Sequence, residues 1–154
     1  MSDAARVLIV EARFYARIAD EMAAGAIALL DAAGVGHERQ AVPGSFELPA
    51  AIRFALDQRT PDGAHPRFAG FIALGCVIRG ETDHYDHVCR EASRGLMELA
   101  IAHAIPLGFG LLTCETYEQA RVRAAIDGGN KGAAAAAACL RMIALKRHFA
   151  AAGV

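Results

Sequence analysis

No charge of either sign predominates in this sequence. Sixteen Lys and Arg face 17 Asp and Glu, for a formal net charge of −1. That balance lacks the basic footprint with which proteins hold nucleic acid or an anionic membrane surface, so neither partner is expected. No apolar run approaches the length of a membrane-spanning helix. The first residues, Met-Ser-Asp-Ala-Ala-Arg, lack the shape of a signal peptide, and the expected location is the cytoplasm. The four cysteines, Cys76, Cys89, Cys114 and Cys139, form no Cys-x-x-Cys pair. Each sits in an apolar context, which predicts reduced, buried, small hydrophobes rather than a disulfide framework or a zinc site. There is no Gly-x-x-x-x-Gly-Lys-Ser/Thr loop and no Gly-x-Gly-x-x-Gly after the first strand, which argues against a nucleoside triphosphatase and a dinucleotide enzyme. No internal repeat or linker interrupts the 154 residues, so a single domain spanning 1–154 is expected.

What is present is an alternation of strand-like and helix-like segments. Residues 6–10, 37–42, 71–78 and 107–114 read as strands. Residues 46–56, 84–103, 118–127 and 133–149 read as helices, and another follows the first strand with Ile18, Met22, Ala26, Leu29 and Ala33 on one face. Residues 59–66, with two prolines and a glycine, read as a flexible loop, and 128–132 as a break. Gly108 and Gly110 fall inside a strand, where glycine marks close approach by a neighbour. The six alanines of 133–138 read as a small-faced helix rather than as low complexity. Strands alternating with helices predict an α/β fold whose parallel sheet is covered on both faces.

Such sheets bind ligands beyond the carboxyl ends of their strands. Four segments share that rim: 11–14, 43–47, 78–87 and 113–116. The third is dense in chemistry, with Gly80, Glu81, Thr82, Asp83, His84, Asp86 and His87 in one strand-to-helix turn. Backbone N–H groups at Gly80, Glu81 and Thr82 suit an anion, while Thr82 or Asp83 equally suits a helix cap. His84, flanked by acids, suits proton transfer, and a solvated histidine is the plainer alternative. A metal site at Asp83, His84, Asp86 and His87 is disfavoured because its ligands are all local to one helix start. Phe14 and Phe46, each just past a strand, could stack on a flat ring or serve the core. Glu47 could read a polyol or favour the helix dipole. Arg121, Arg123 and Lys131 are surface cations or anion ligands. Residue chemistry carries the reading this far: a parallel α/β domain, an anion-plus-aromatic site and one candidate base.

Several longer blocks go further. Residues 42–49 read Val-Pro-Gly-Ser-Phe-Glu-Leu-Pro. Residues 73–86 read Ala-Leu-Gly-Cys-Val-Ile-Arg-Gly-Glu-Thr-Asp-His-Tyr-Asp. Then come Phe-Gly-Leu-Leu-Thr at 109–113, Glu-Gln-Ala at 118–120 and Gly-Asn-Lys-Gly at 129–132. In order and spacing these resemble the 6,7-dimethyl-8-ribityllumazine synthase family of riboflavin biosynthesis, across nearly the whole chain. The resemblance implies a flavodoxin-like three-layer α/β/α sandwich with four parallel strands. It implies condensation of 5-amino-6-(D-ribitylamino)uracil with 3,4-dihydroxy-2-butanone 4-phosphate, with no metal or organic cofactor. In that family Phe14 would stack on the pyrimidine, Ser45, Phe46 and Glu47 would line the ribityl pocket, and Val77 and Ile78 would touch the ring. Gly80, Glu81, Thr82 and Arg123 would hold phosphate, Lys131 would sit near the polar end, and His84 would carry protons. Phe109 would come from a neighbouring subunit of a homopentamer, which is favoured over an icosahedral shell because the arm before the first strand is short. Tyr15, His87 and Ser45 depart from the commoner family residues.

Overall fold

The computed structural model describes residues 6–153. Four strands form one parallel sheet: β1 (Arg6–Ala12), β2 (His37–Val42), β3 (Phe68–Ile78) and β4 (Leu107–Cys114), in the order β2-β1-β3-β4. These are the first four places of the flavodoxin-like order, in which the chain reverses direction across the sheet between β1 and β3. Five α-helices accompany it among the described residues: α1 (Ala16–Ala32), α2 (Leu48–Ala55), α3 (His84–Ala102), α4 (Tyr117–Ala124) and α5 (Lys131–Ala152). A 3-10 turn, Ser45–Glu47, leads into α2. The expectation about the arm before β1 falls on residues 1–5, outside those described.

Alternating residues of the central strands feed two cores. Val7, Ile9, Ile72, Leu74, Leu112 and Cys114 pack with α1, α4 and α5. Leu8, Val10, Phe71, Ala73 and Leu111 pack with α2 and α3 through Leu48, Ile52, Ala92 and Leu96. The sheet is therefore the middle of three layers. Covered on both sides, β3 is apolar along most of its length, which is why its pattern reads as a run rather than an alternation.

Boundaries differ from the sequence reading in informative places. β3 starts at Phe68, three residues early, because its first residues pair with Arg6 and Val7 across a register shift. α4 ends at Ala124, not Asp127, since Ala125 turns extended (ψ 135°). α5 begins at Lys131, directly after left-handed Asn130 (φ 47°). Gly132 is thus not a breaker: a Cβ there would lie 1.9 Å from the Met22 carbonyl oxygen of α1. Gly108 shows the same logic in β4, where a Cβ would fall 2.0 Å from the Ala135 carbonyl oxygen. The glycines and alanines together let α5 press onto the sheet and α1. In α1 the buried line runs Ile18, Met22, Ala26, Leu30, so Leu30 rather than Ala33 completes it. The 59–66 loop is tied down rather than loose, by an Arg59–Pro66 bridge, Thr60 N–H donating to the His65 carbonyl at 2.9 Å and Ala64 N–H to Asp62 Oδ1 at 3.0 Å. All four cysteines are free, three of them buried and Cys89 half-buried.

Candidate active site

The carboxyl ends of β1, β2 and β3 open onto a cavity of about 580 Å³. Its lining includes Phe14, Ser45, Phe46, Glu47, Val77, Ile78 and His84, seven residues named from the sequence and delivered by three strand ends and the start of α3. Each arrives for a local reason. Phe14 sits in the three-residue gap between β1 and α1. Pro43 and Gly44 end β2 and turn the chain so that the 3-10 turn presents Phe46 and Glu47 outward, while Leu48 anchors α2 in the core. Pro49 falls in the first turn of α2, where its missing N–H leaves no bond unmade.

The cavity walls are strongly aromatic and its polar groups few. Phe14 is 75% and Phe46 60% exposed, large rings held in solvent where burial elsewhere would be favoured. Phe14 meets Tyr15 edge-on, with centroids 4.9 Å apart at 78°, and Tyr15 in turn meets Tyr117 at 6.1 Å. Burial pushes the Tyr15 hydroxyl up from its ordinary value. Ser45 is 6% exposed, and its Oγ, close over Gly75, makes no hydrogen bond within the protein. A buried hydroxyl without a partner is costly, and a polar ligand would satisfy it. Three residues before Phe14 in the chain, the buried Glu11 carboxylate accepts from Arg39 at 2.7 and 3.0 Å and from Arg13 at 2.8 Å, with Arg13 also bonded to Asp20. That ion network fixes the start of the β1–α1 gap.

The 80–82 turn falls in the chain between two lining residues, Ile78 and His84, but none of its three residues lines the cavity. Gly80, Glu81 and Thr82 are exposed, with open space around Gly80. The Thr82 hydroxyl accepts the His84 N–H at 3.3 Å and so caps α3, whereas the Asp83 carboxylate lies 3.2 Å from His87 Nε2. Arg79, beside the turn, is already engaged. It pairs with Glu115 at 2.9 Å and Asp86 at 3.3 Å and lies 4.4 Å over the Tyr85 ring.

Besides Gly80, Glu81 and Thr82, three more named residues are absent from the cavity lining. Phe109 projects from edge strand β4, half-exposed, at the register of Ala73 and several residues short of the rim. The Arg123 guanidinium lies 3.6 Å from Cys114 Sγ, at the end of β4 on the α4 side. Lys131 opens α5, exposed. Conversely, Tyr15, Pro43, Gly44, Cys76 and Val88 also line the cavity. Val88 was findable, since it falls four residues after His84 on one helix face. Cys76 was not, because buried strand residues carry no sign of which cavity they floor. Burial pushes its thiol up to about 12. Among the described residues no group of three or more His, Cys, Asp or Glu is placed to hold a metal ion, and no helix is long and apolar enough to cross a membrane.

Comparison with known proteins adds the family. A model of 6,7-dimethyl-8-ribityllumazine synthase matches residues 4–147. The chain is 52% identical over 144 residues to 6,7-dimethyl-8-ribityllumazine synthase of Azorhizobium caulinodans, covering 94% of this chain and 88% of that protein. It is 50% identical over 145 residues to the protein of the same name from Paramagnetospirillum magneticum, covering 94% and 97%. With 6,7-dimethyl-8-ribityllumazine synthase 1 of Rhizobium meliloti it shares 51% over 145 residues, 94% of each.

Proposed function

The chain belongs to the 6,7-dimethyl-8-ribityllumazine synthase family, and from that premise we propose how its parts divide the work of forming the lumazine. Its substrates are 5-amino-6-(D-ribitylamino)uracil and 3,4-dihydroxy-2-butanone 4-phosphate, and phosphate and water leave. The observation that carries the assignment of roles is the convergence of seven sequence-named residues on one 580 Å³ cavity.

Phe14 stacks on the pyrimidine, with Val77 and Ile78 against its edge. Ser45, Phe46 and Glu47 line the ribityl end, where the unpartnered Ser45 hydroxyl and the Glu47 carboxylate meet polyol hydroxyls. Gly80, Glu81 and Thr82 bind the phosphate with backbone N–H groups near the α3 N-terminus. His84, the first residue of α3, moves protons as the amine adds to the carbonyl, water departs, phosphate is eliminated and the ring closes. None of these steps needs a strong protein nucleophile. Holding two substrates in register supplies much of the acceleration, and proton transfer by His84 supplies part of the rest.

No cation lines the cavity, and Arg79 is committed elsewhere. A departing phosphate dianion needs charge balance. We assign that role to Arg123, with Lys131 near the polar end and Phe109 closing the ring site, all reaching the cavity from a second copy. Large exposed apolar side chains on α2, α3 and β4 support such a contact: Phe54, Met97, Ile101 and Phe109. The assembly we propose is a homopentamer of single-domain chains in the cytoplasm, needing no metal or organic cofactor. Mixing the chain with both substrates and following lumazine absorbance, alongside native mass, tests the reading. Flavin or lumazine binding without product formation would overturn it.

A further inference from the structure

A second cavity, of about 670 Å³, lies at the opposite end of the sheet. It is bounded by the first residues of β1 and β3, Arg6 and Phe68, by Pro106 just before β4, by the 59–66 loop and by the last turns of α5. Phe68 and Ile78 are the two ends of β3, an 11-residue strand, so this cavity is about 30 Å from the candidate active site. Its floor is apolar: Phe68, Ala69, Pro106 and Ile143. Its rim is basic: Arg6, His65, Arg67, Lys146 and Arg147, with no acid lining it among the described residues.

The nearby carboxylates do not cancel that charge. Glu38 bridges Arg6 and Arg67, one carboxylate for two guanidinium groups. Asp62, in the bounding loop, accepts from the Thr60 hydroxyl and the Ala64 N–H and keeps its charge, so Glu38 and Asp62 together still leave the cations Arg6, Arg67, Lys146 and Arg147 in excess. The Lys146 ammonium donates to the Ala104 carbonyl oxygen, which holds it in place without neutralising it. Arg6 at the start of β1 and Arg67 just before β3 bring two guanidinium groups to the same apolar floor. Arg67, besides its bond to Glu38, lies 5.6 Å over the Phe68 ring, so the charged rim and the aromatic floor are one surface.

We propose that this cavity is a binding site for a small organic phosphate, its dianionic head among Lys146, Arg147, Arg67 and Arg6 and its apolar part on Pro106, Ile143 and Phe68. The volume falls in the range of small-ligand sites, and guanidinium groups match phosphate oxygens in geometry as well as charge. The site is separate from the lumazine-forming cavity and does not depend on the roles assigned there.

The test uses the whole protein with its isoleucine methyl groups isotopically labelled, because Ile143 reports this cavity and Ile78 the other. Phenyl phosphate should shift the Ile143 methyl saturably and bind there more tightly than inorganic phosphate. Lys146→Glu with Arg147→Glu should weaken the Ile143 titration about tenfold or more, the loss of a charge-assisted contact. The Ile78 response and lumazine formation should stay as in the parent. Arg147→Gln, the milder change, should weaken it in the same direction if the double variant folds poorly. An unmoved Ile143 methyl, equal affinity for the two probes, or unchanged binding in the charge variants would each overturn the proposal. Equal affinity would mean adventitious attraction of anions to a basic rim.

Discussion

Replacing Gly108 by alanine tests how α5 is seated. The added Cβ would lie 2.0 Å from the Ala135 carbonyl oxygen, 2.8 Å from its carbon and 3.2 Å from Cys139 Cβ. To reach ordinary contact, strand and helix must separate by more than an ångström. The first two obstacles are backbone atoms of α5, so no rotamer change relieves them. Nor can α5 retreat freely, because Gly132 on the same helix sits against the Met22 carbonyl and Gly70 against Cys139 Sγ and Ile143. Overpacking of this kind costs typically 1–3 kcal/mol, and a backbone clash belongs at the upper end, about 3 kcal/mol. For a chain of this length that lowers Tm by roughly 6–12 °C. Thermal melts followed by circular dichroism, with urea midpoints to confirm that the slope is unchanged, measure it. Gly36→Ala is the control, because its Cβ would meet only the Arg6 side chain, at ordinary contact distances of 3.7 and 3.9 Å. It should leave stability unchanged or raise it by up to about 1 kcal/mol. Adding Ala135→Gly to the Gly108 variant should not restore stability, since the obstructing oxygen remains. A Gly108→Ala protein melting within about 2 °C of the parent, or rescue by Ala135→Gly, would refute the backbone-clash account.

Four further outcomes are expected. His84→Ala should lower kcat by roughly 10- to 100-fold with little change in KM, leaving measurable activity; turnover unchanged across pH would end the proton-transfer role. Glu11→Gln removes the charge that holds Arg39 and Arg13 and should cost about 2 kcal/mol in urea unfolding, since both arginines can turn partly to water. The Cys76 and Cys139 thiols are pushed by burial up to about 12 from an ordinary 9.0. Unfolding lets them ionise, so stability is intact below pH 9 and falls as pH rises from about 9 towards 12; a urea midpoint that does not drop between pH 8 and 10.5 would contradict this. Tyr15→Leu should raise KM for the pyrimidine substrate, because the Phe14 ring loses its edge contact, and Tyr15→Phe should restore it; equal KM in all three proteins would remove Tyr15 from that role.

Much of this architecture was legible because its signals are local. A run such as 71–78 needs burial on both faces, and alternation with helices leaves few topologies for a parallel sheet. The rim follows from topology, which is why Phe14, Ser45, Phe46, Glu47, Ile78 and His84 could be grouped before any coordinates, whereas Val77 came from the family resemblance. What the sequence hid depends on the third dimension. Gly132 looks like a helix breaker until Met22 is seen beside it. Arg79 stands next to the anion turn and would seem its natural cation, but Asp86, Glu115 and Tyr85 take it up. The basic cavity draws on residues 6, 65, 67, 146 and 147, positions no local pattern relates. Phe109, Arg123 and Lys131 were grouped with the site through family resemblance, and within one chain they do not line its cavity.

That last separation has a genetic consequence. Glu47 lines the cavity of its own chain, whereas Arg123 lies beyond it at the end of β4. On the two-copy reading, a Glu47 variant and an Arg123 variant damage different halves of each site. Neither alone makes product well, but co-assembled chains place some intact halves face to face. With equal random mixing, roughly one site in four is whole in a cyclic assembly. Two defective copies in one cell would then complement each other.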